Sequence, residues 1–346
     1  AVLRVLRRPA KLQTAIVTLL MPGLMVWNPS AMANPQGATI VHGDISFGDG
    51  AGGAFHIHQG SHNAIINWDS FSIDAGELTQ FHQPGSNSAV LNRVTGGDPT
   101  AIYGALKGNG TVFVINPSGI LVGPGGTVDV NGLVFSTLDV DNGEFLARSD
   151  MVFKGGSDKG VTNLGRINAI GGDVFLIGRT VSNSGTVSAG GTAGLAAGQE
   201  VLLTAGQGIG GERLFVRATG AGASGTGIFN DGTIEGAAVE LKAHGNLYAL
   251  AINNKGSVRA TGSVNSGGRV FLRGAGGLVS NEGGIEARVA DGSETASVLI
   301  EAAYARVDGS IRAEGGNARI AAADRAEVTG TVDVSSAVGR GGEVIV

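Results

Sequence analysis

The sequence predicts an all-β protein, a parallel β-helix closed at its N-terminal end by a cap. Three observations carry this. Glycine supplies 61 of 346 residues, far above the usual roughly 7%. Yet 42% of the chain is hydrophobic, so it is no disordered glycine-rich linker. From Val161 onward a short unit recurs, made of strands and turns with almost no helical signal. Aromatic residues are only 5%, which argues against a propeller, whose blades need about 40–50 residues and aromatic signatures.

The N-terminus reads as a signal peptide over residues 1–33. Arg4, Arg7, Arg8 and Lys11 form a basic region, Ala15 to Trp27 is mostly apolar, and Ala31-Met32-Ala33 gives a small-x-small pattern. Cleavage is expected between Ala33 and Asn34. A membrane span needs roughly 20 apolar residues, and Pro22-Gly23 interrupts this shorter run. The chain begins with Ala rather than Met, so its true start is expected to be missing. Residues from Asn34 to about His62 are irregular. They suit a cap, because the open end of a β-helix exposes strand edges that invite aggregation.

The repeat is apolar, x, Asn, x, Gly, x, apolar. It is clear at Val161–Ile167, Val181–Val187, Ile228–Ile234, Ile252–Val258 and Val279–Ile285, and weaker at Val307–Ile311 and Val328–Val332. Apolar residues alternate with polar ones, so one face of each strand points into a core. The Asn-x-Gly element is expected to turn the chain, since both residues tolerate left-handed backbone angles. Spacings of roughly 20 to 27 residues fit solenoid coils. Asn163, Asn183, Asn230, Asn254 and Asn281 are placed to align as a ladder at one corner. The wider gap between Asn183 and Asn230 is expected to hold one degenerate extra coil around Val201 to Val216.

The net charge of −5 and pI of about 5.7 exclude a general attraction for nucleic acid, which needs clustered Lys and Arg. There are no cysteines, hence no disulfide, thiolate metal site or Cys nucleophile. Histidines gather early, at His42, His56, His58, His62 and His82. His56 and His58 would share one strand face and could hold Zn with a third ligand. No HExxH or similar spacing supports this, so no metal is expected. Catalysis of glycan cleavage would need paired acids aligned across coils. Asp139, Asp141 and Asp308 (near Arg306 and Arg312) are scattered and mostly in turns. Gly171-Gly172-Asp173 lacks the tandem pattern of calcium-binding repeats. Phosphate-loop, dinucleotide and Ser-His-Asp signatures are missing. No catalytic residue and no cofactor are expected.

Three blocks lie between His56 and Thr137: AIINWDSFSI (64–73), AVLNRVTGGDPTAIYGAL (89–106) and GTVFVINPSGILVGPGG (110–126). Following a signal and preceding a strand array, they resemble the N-terminal secretion domain of filamentous-haemagglutinin-like exoproteins, from about Asn34 to about Ala205. Those proteins leave Gram-negative bacteria by two-partner secretion. Asn116-Pro117-Ser118-Gly119-Ile120 stands where that family carries Asn-Pro-Asn-Gly followed by Ile, with Ser118 replacing the second Asn. Asn67, Trp68 and Phe71, then Asn92-Arg93-Val94, match the flanks, as does Gly132-Leu133-Val134. The family's second motif, Asn-Pro-Asn-Leu, is missing. On the residues alone, Asn at i, Pro at i+1 and Gly at i+3 favour a type I turn joining strands 111–115 and 120–122. A plain folding turn accounts for all four residues, so direct recognition and a folding role both stay open.

The resemblance implies a right-handed helix, in keeping with right-handed crossovers. It also implies an outer-membrane two-partner secretion transporter that binds the chain in the periplasm. A chain threaded through a narrow pore would jam if cross-linked there, which agrees with the missing cysteines. The expected organisation is signal 1–33, secretion domain 34–250, and continuing repeats 251–346 that break off within a strand, as in the N-terminal part of a longer protein. The mature chain is expected to be secreted or held at the cell surface, without spanning a membrane. The finished exoprotein is expected to be an adhesin-like filament, with a host-cell or glycan receptor met by its remaining part. A contact-dependent toxin-delivery stalk and a carbohydrate-active β-helix enzyme are the alternatives.

Overall fold

The computed structural model describes residues 34–206, 211–217, 225–245, 247–262, 267–289, 295–336 and 341–346. The expected signal peptide, with Ala31 and Ala33 of its cleavage site, lies outside the described residues; Asn34 lies within them.

The fold is a parallel β-helix. Each coil supplies three short strands. Val161–Asn163, Arg166–Ala169 and Val174–Gly178 are followed by Val181–Asn183, Thr186–Ala189 and Thr192–Ala197. Equivalent strands pair in parallel and in register: Val161 with Val181, Ile167 with Val187, Val174 with Ala193. The register repeats down to Glu343–Ile345. Alternate residues point inward, so Val, Ile, Leu and Ala from every coil merge into one core. Each fully buried Val, Ile or Leu contributes about 1.5–3 kcal/mol.

The cap is antiparallel. Thr39–His42 pairs against Asn63–Trp68, and Ile45–Asp49 against Ala54–Gln59. These short strands cover the edge of the first coil, where a parallel ladder would otherwise be presented. Phe47, Phe55, Trp68 and Phe71 close the core beneath, with ring centroids 5.7 to 6.2 Å apart.

The asparagine ladder forms. Asn163 Nδ2 donates to Asn183 Oδ1, Asn183 to Asn230, Asn230 to Asn254, and Asn254 to Asn281, each at 2.7 Å. All five side chains are fully buried. A primary amide holds donor and acceptor side by side, so the chain of bonds propagates coil by coil. It stops after Asn281 because Val307 occupies the next position.

The repeat glycines act differently from expectation. Gly165, Gly185, Gly232, Gly256 and Gly283 are not among the residues with positive φ. What requires glycine is contact. A Cβ on Gly185 would lie 2.1 Å from the Gly165 carbonyl oxygen, and one on Gly232 equally close to that of Gly185.

The extra coil expected near Val201–Val216 does not exist. Coil 183 stacks directly on coil 230. The intervening chain leaves the stack as Glu200–Leu203, which pairs antiparallel with Met151–Lys154 and Leu214–Val216. The reason is a second, outer core. Phe113, Val134, Phe175 and Ile177 face outward and are covered by Phe145, Phe153, Val201, Leu203 and Leu214. Runs such as Val174–Gly178 are therefore apolar at consecutive positions, as in strands buried on both faces. A helix, Asn142–Ala147, completes the cover. Asp141 caps it by accepting from the Gly143 and Glu144 N–H groups at 2.7 and 3.3 Å.

Candidate functional site

The segment 116–120 is a tight turn between strands Thr111–Ile115 and Ile120–Val122. The Gly119 N–H donates to the Asn116 carbonyl at 3.0 Å, and Gly119 has φ +112, which favours glycine. The Asn116 side chain is wholly buried. Its Oδ1 accepts from the Ser118 N–H at 2.9 Å, and its Nδ2 donates to the Asp98 carbonyl and Thr100 Oγ1, both at 3.0 Å. Ile120 points into the core, 2% exposed. Pro117 is the exposed member and Ser118 is half-buried. The folded turn thus offers a partner Pro117 and backbone, while Asn116 and Ile120 serve the interior.

The other motif residues are its neighbours in the stack. Arg93 pairs laterally with Ile115, the residue before the turn. Its guanidinium donates to Asp139 at 2.9 and 3.2 Å and to the Val140 carbonyl at 2.9 Å. Trp68, Phe71 and Val94 are buried in the core, and Asn92 is fully buried beside Trp68. Asn67 places its Oδ1 in the interior without a hydrogen-bond partner among the described residues. The sequence block thus resolves into one support for the cap and the first three coils.

The acids are engaged structurally. Asp139 holds Arg93 and Asp141 caps the helix. Asp308 binds Arg306 at 2.6 Å and Thr329 Oγ1 at 2.5 Å, and Arg312 pairs with Asp333 at 3.0 Å. Asp173 binds Arg213 at 2.8 Å and the Thr192 N–H at 2.7 Å.

Sequence reasoning missed a buried ionic clasp beneath the lateral sheet. Glu240 is fully buried and accepts from the Arg213 and Leu214 N–H groups at 2.7 and 2.9 Å. Lys242, 3% exposed, pairs with Glu212, which Arg273 also holds at 2.6 Å. Burial pushes the Glu240 carboxyl up and the Lys242 ammonium down. Burial opposes ionisation of Glu212 too, but Arg273 and Lys242 outweigh it and hold its carboxyl below the ordinary value. The available signal was Glu240-Leu-Lys242, charged inside an otherwise apolar strand. Next to this clasp, a cleft of about 310 Å³ opens between the stack and the cover, with Phe113, Phe175, Arg148 and Arg213 among its walls.

At the cap, His56, His58 and His82 meet on the outer face, with His56 Nδ1 and His82 Nε2 3.0 Å apart. Burial, then His58 and His56, hold His82 below its ordinary pKa. Among the described residues, no three or more His, Asp or Glu side chains gather as a metal cage. None of their helices is long and apolar enough to cross a membrane.

Residues 31–287 match the family model described as the TPS secretion domain, TPS denoting two-partner secretion. Two curated relatives, both named heme/hemopexin-binding protein and both from Haemophilus influenzae, are 37% identical over 112 residues and 35% over 107. Those matches cover 32% and 31% of this chain, and 12% of each relative. The crystal structure of the HMW1 secretion domain from Haemophilus influenzae is similar over 87% of this chain and all of its own length. Its TM-score is 0.57 at 22% identity, a likeness of fold.

Proposed function

The chain belongs to the TPS secretion-domain family, and on that footing we propose that the folded stack beginning at Asn34 is the part that engages a partner transporter in the outer membrane. Exoproteins with this domain are secreted by Gram-negative bacteria through such a partner, and the domain directs that step. The observation that carries the proposal is the family match over 31–287, which takes in the cap, the Asn116 turn and the lateral cover. In this reading the signal peptide delivers the chain to the periplasm, and residues 34–250 meet the transporter. Residues 251–346 continue the scaffold.

The turn at 116–120 acts chiefly by folding the stack, with Pro117 and its backbone as the accessible surface. The complete exoprotein is a surface adhesin whose remaining part meets a host-cell or glycan receptor. No residue here is catalytic. Support comes from the candidate acids Asp139, Asp141, Asp173 and Asp308, each occupied by a helix cap or an ion pair, since a polysaccharide-cleaving β-helix needs two free carboxyls facing one bond. The names of the Haemophilus influenzae relatives favour a second reading for the whole protein, capture of heme or hemopexin. A toxin-delivery stalk would share this region and differ in what the rest of the protein carries.

Secretion decides the central claim. Expressed with the partner transporter encoded in the same genome, the chain is expected in the medium; without it, in the periplasm. Retention in both cases, or escape in both, overturns the reading. Turnover of pectin or alginate by the purified chain would overturn the non-enzymatic part.

A further inference from the structure

The histidines of the cap are brought together by strand register. Ala54–Gln59 pairs in parallel with Leu78–His82, which sets His58 opposite His82 and His56 opposite Gln80. Ile57 and Phe81 point into the core and are essentially unexposed. Alternation along a strand therefore sends His56, His58 and His82 to the outer face. The His58 and His82 rings stack, with centroids 4.6 Å apart and planes 11° from parallel. His56 Nδ1 and His82 Nε2 stand 3.0 Å apart, with ring centroids at 5.1 Å.

We propose that His56 and His82 form a two-nitrogen chelate for a divalent transition-metal ion, Cu²⁺ or Ni²⁺ before Zn²⁺. In the metal-free protein one of these nitrogens donates a hydrogen bond to the other; when the ion binds, that proton moves to the other nitrogen of the same ring, so that both facing nitrogens offer lone pairs. A metal–imidazole bond of about 2.0–2.1 Å separates two adjacent ligand nitrogens by about 2.9 Å at a right angle and about 3.4 Å at a tetrahedral one. The observed 3.0 Å lies nearer the right angle, the geometry of tetragonal Cu²⁺ and Ni²⁺. Both rings must tilt from the line joining them, and their half-buried, outward placement leaves room for that. His58 lies flat on His82 and steadies its ring without adding a third nitrogen. Beside His82 a cleft of about 390 Å³, bordered by Gln80, Lys107, Asn109 and Asp129, admits the waters that complete the coordination.

The test is a calorimetric titration of the purified chain with CuCl₂ and then NiCl₂, together with the Cu²⁺ paramagnetic resonance spectrum. One Cu²⁺ is expected to bind ahead of any other, more tightly than Ni²⁺, with hyperfine structure from two nitrogens. Losing a partner one step removed from a metal costs about 10–100-fold in affinity, so His56→Ala and His82→Ala should each cost at least about tenfold. His42→Ala should change nothing. His56→Gln and His82→Gln repeat the measurement should the alanine variants lose their β-sheet circular dichroism. No saturable site, or equal affinity in the parent and the His56 and His82 variants, would mean an adventitious ion only and overturn the proposal. A loss in His58→Phe as large as in His82→Ala would overturn the two-nitrogen assignment.

Discussion

The Trp68 indole Nε1 donates to Asn92 Oδ1 at 2.9 Å, and Asn92 Nδ2 donates onward to the Phe113 carbonyl at 3.0 Å. A single buried amide thus links three successive strands at the capped end. Asn92→Leu keeps the volume but strips both partners of their bond. Buried groups left unsatisfied cost about 1–3 kcal/mol each, so a loss of about 2–4 kcal/mol is expected. Urea unfolding should show it as a lower midpoint with unchanged slope. A change no larger than that of Asn87→Leu on the surface would count against the relay.

Asn183 bonds to a ladder neighbour on either side, whereas Asn281 ends the ladder. At about 1 kcal/mol per net hydrogen bond, Asn183→Ala should cost clearly more than Asn281→Ala. Asn183 and Asn230 share a bond, so the double alanine variant should lose less than the sum of the singles. Strict additivity would show that the ladder is no cooperative unit.

Gly185→Ala puts a methyl group 2.1 Å from the Gly165 oxygen. Backbone must move, in two coils at once. A loss of about 3 kcal/mol or more is expected, at the top of the ordinary range for point changes. Gly206→Ala, where a Cβ would meet nothing within 4 Å, is the control and should be close to neutral.

The clasp makes the lateral cover sensitive to acid. The folded pKa of Glu212 lies below its ordinary 4.5. Its contribution is complete above that value and is lost as pH falls through the folded pKa. Glu240 has the opposite sign: its folded pKa is raised, so its contribution is present below 4.5 and lost as pH rises through the raised value. Glu212→Gln should flatten the acid limb of the stability curve, and should cost about 3 kcal/mol at neutral pH, the low end for breaking a buried pair, because Glu240 stays 4.0 Å from Lys242. Glu240→Gln should remove the gain in stability that the parent shows as pH falls toward 4.5, before the Glu212 loss sets in. Midpoints measured from neutral to acid pH, with hydrogen exchange of Leu202 and Phe215, would read both. Identical limbs in parent and Glu212→Gln would sink the assignment.

Much of the stack was legible because its periodicity is local. Val-x-Asn-x-Gly-x-Ile states the inward face, the polar corner and the coil length in seven residues, and Asn163 to Asn281 align as that spacing requires. The glycines were read for the wrong reason, since their contact is with the preceding coil and a single unit does not reveal it. The cover was hidden for a related cause. Met151–Lys154 finds its partner at Glu200–Leu203 only in three dimensions, and strand signals alone do not distinguish a coil from an excursion. The doubly apolar strand Val174–Gly178 was the clue to it. At the motif, turn chemistry predicted the geometry of Asn116–Gly119. That Asn116 faces inward depended on Thr100 and Asp98, contributed by the preceding coil.

A bare solenoid has a mechanical weakness, because a load on one end peels it coil by coil. Here the flank carries a brace. Arg148 grips Asn63 in the first full coil at 2.7 Å, Asp150 takes the Ala205 N–H at 2.8 Å, Glu240 anchors Arg213, and Arg273 joins Glu212 to Glu301. Arg148 and Arg213 tie the cover to strands Asn63–Trp68 and Ala238–His244, several coils apart, while Asp150 and Ala205 close the cover on itself and Arg273 and Glu301 face each other on adjacent coils. Pulling on one end should therefore open a coil outside the cover before the coils that the cover bridges.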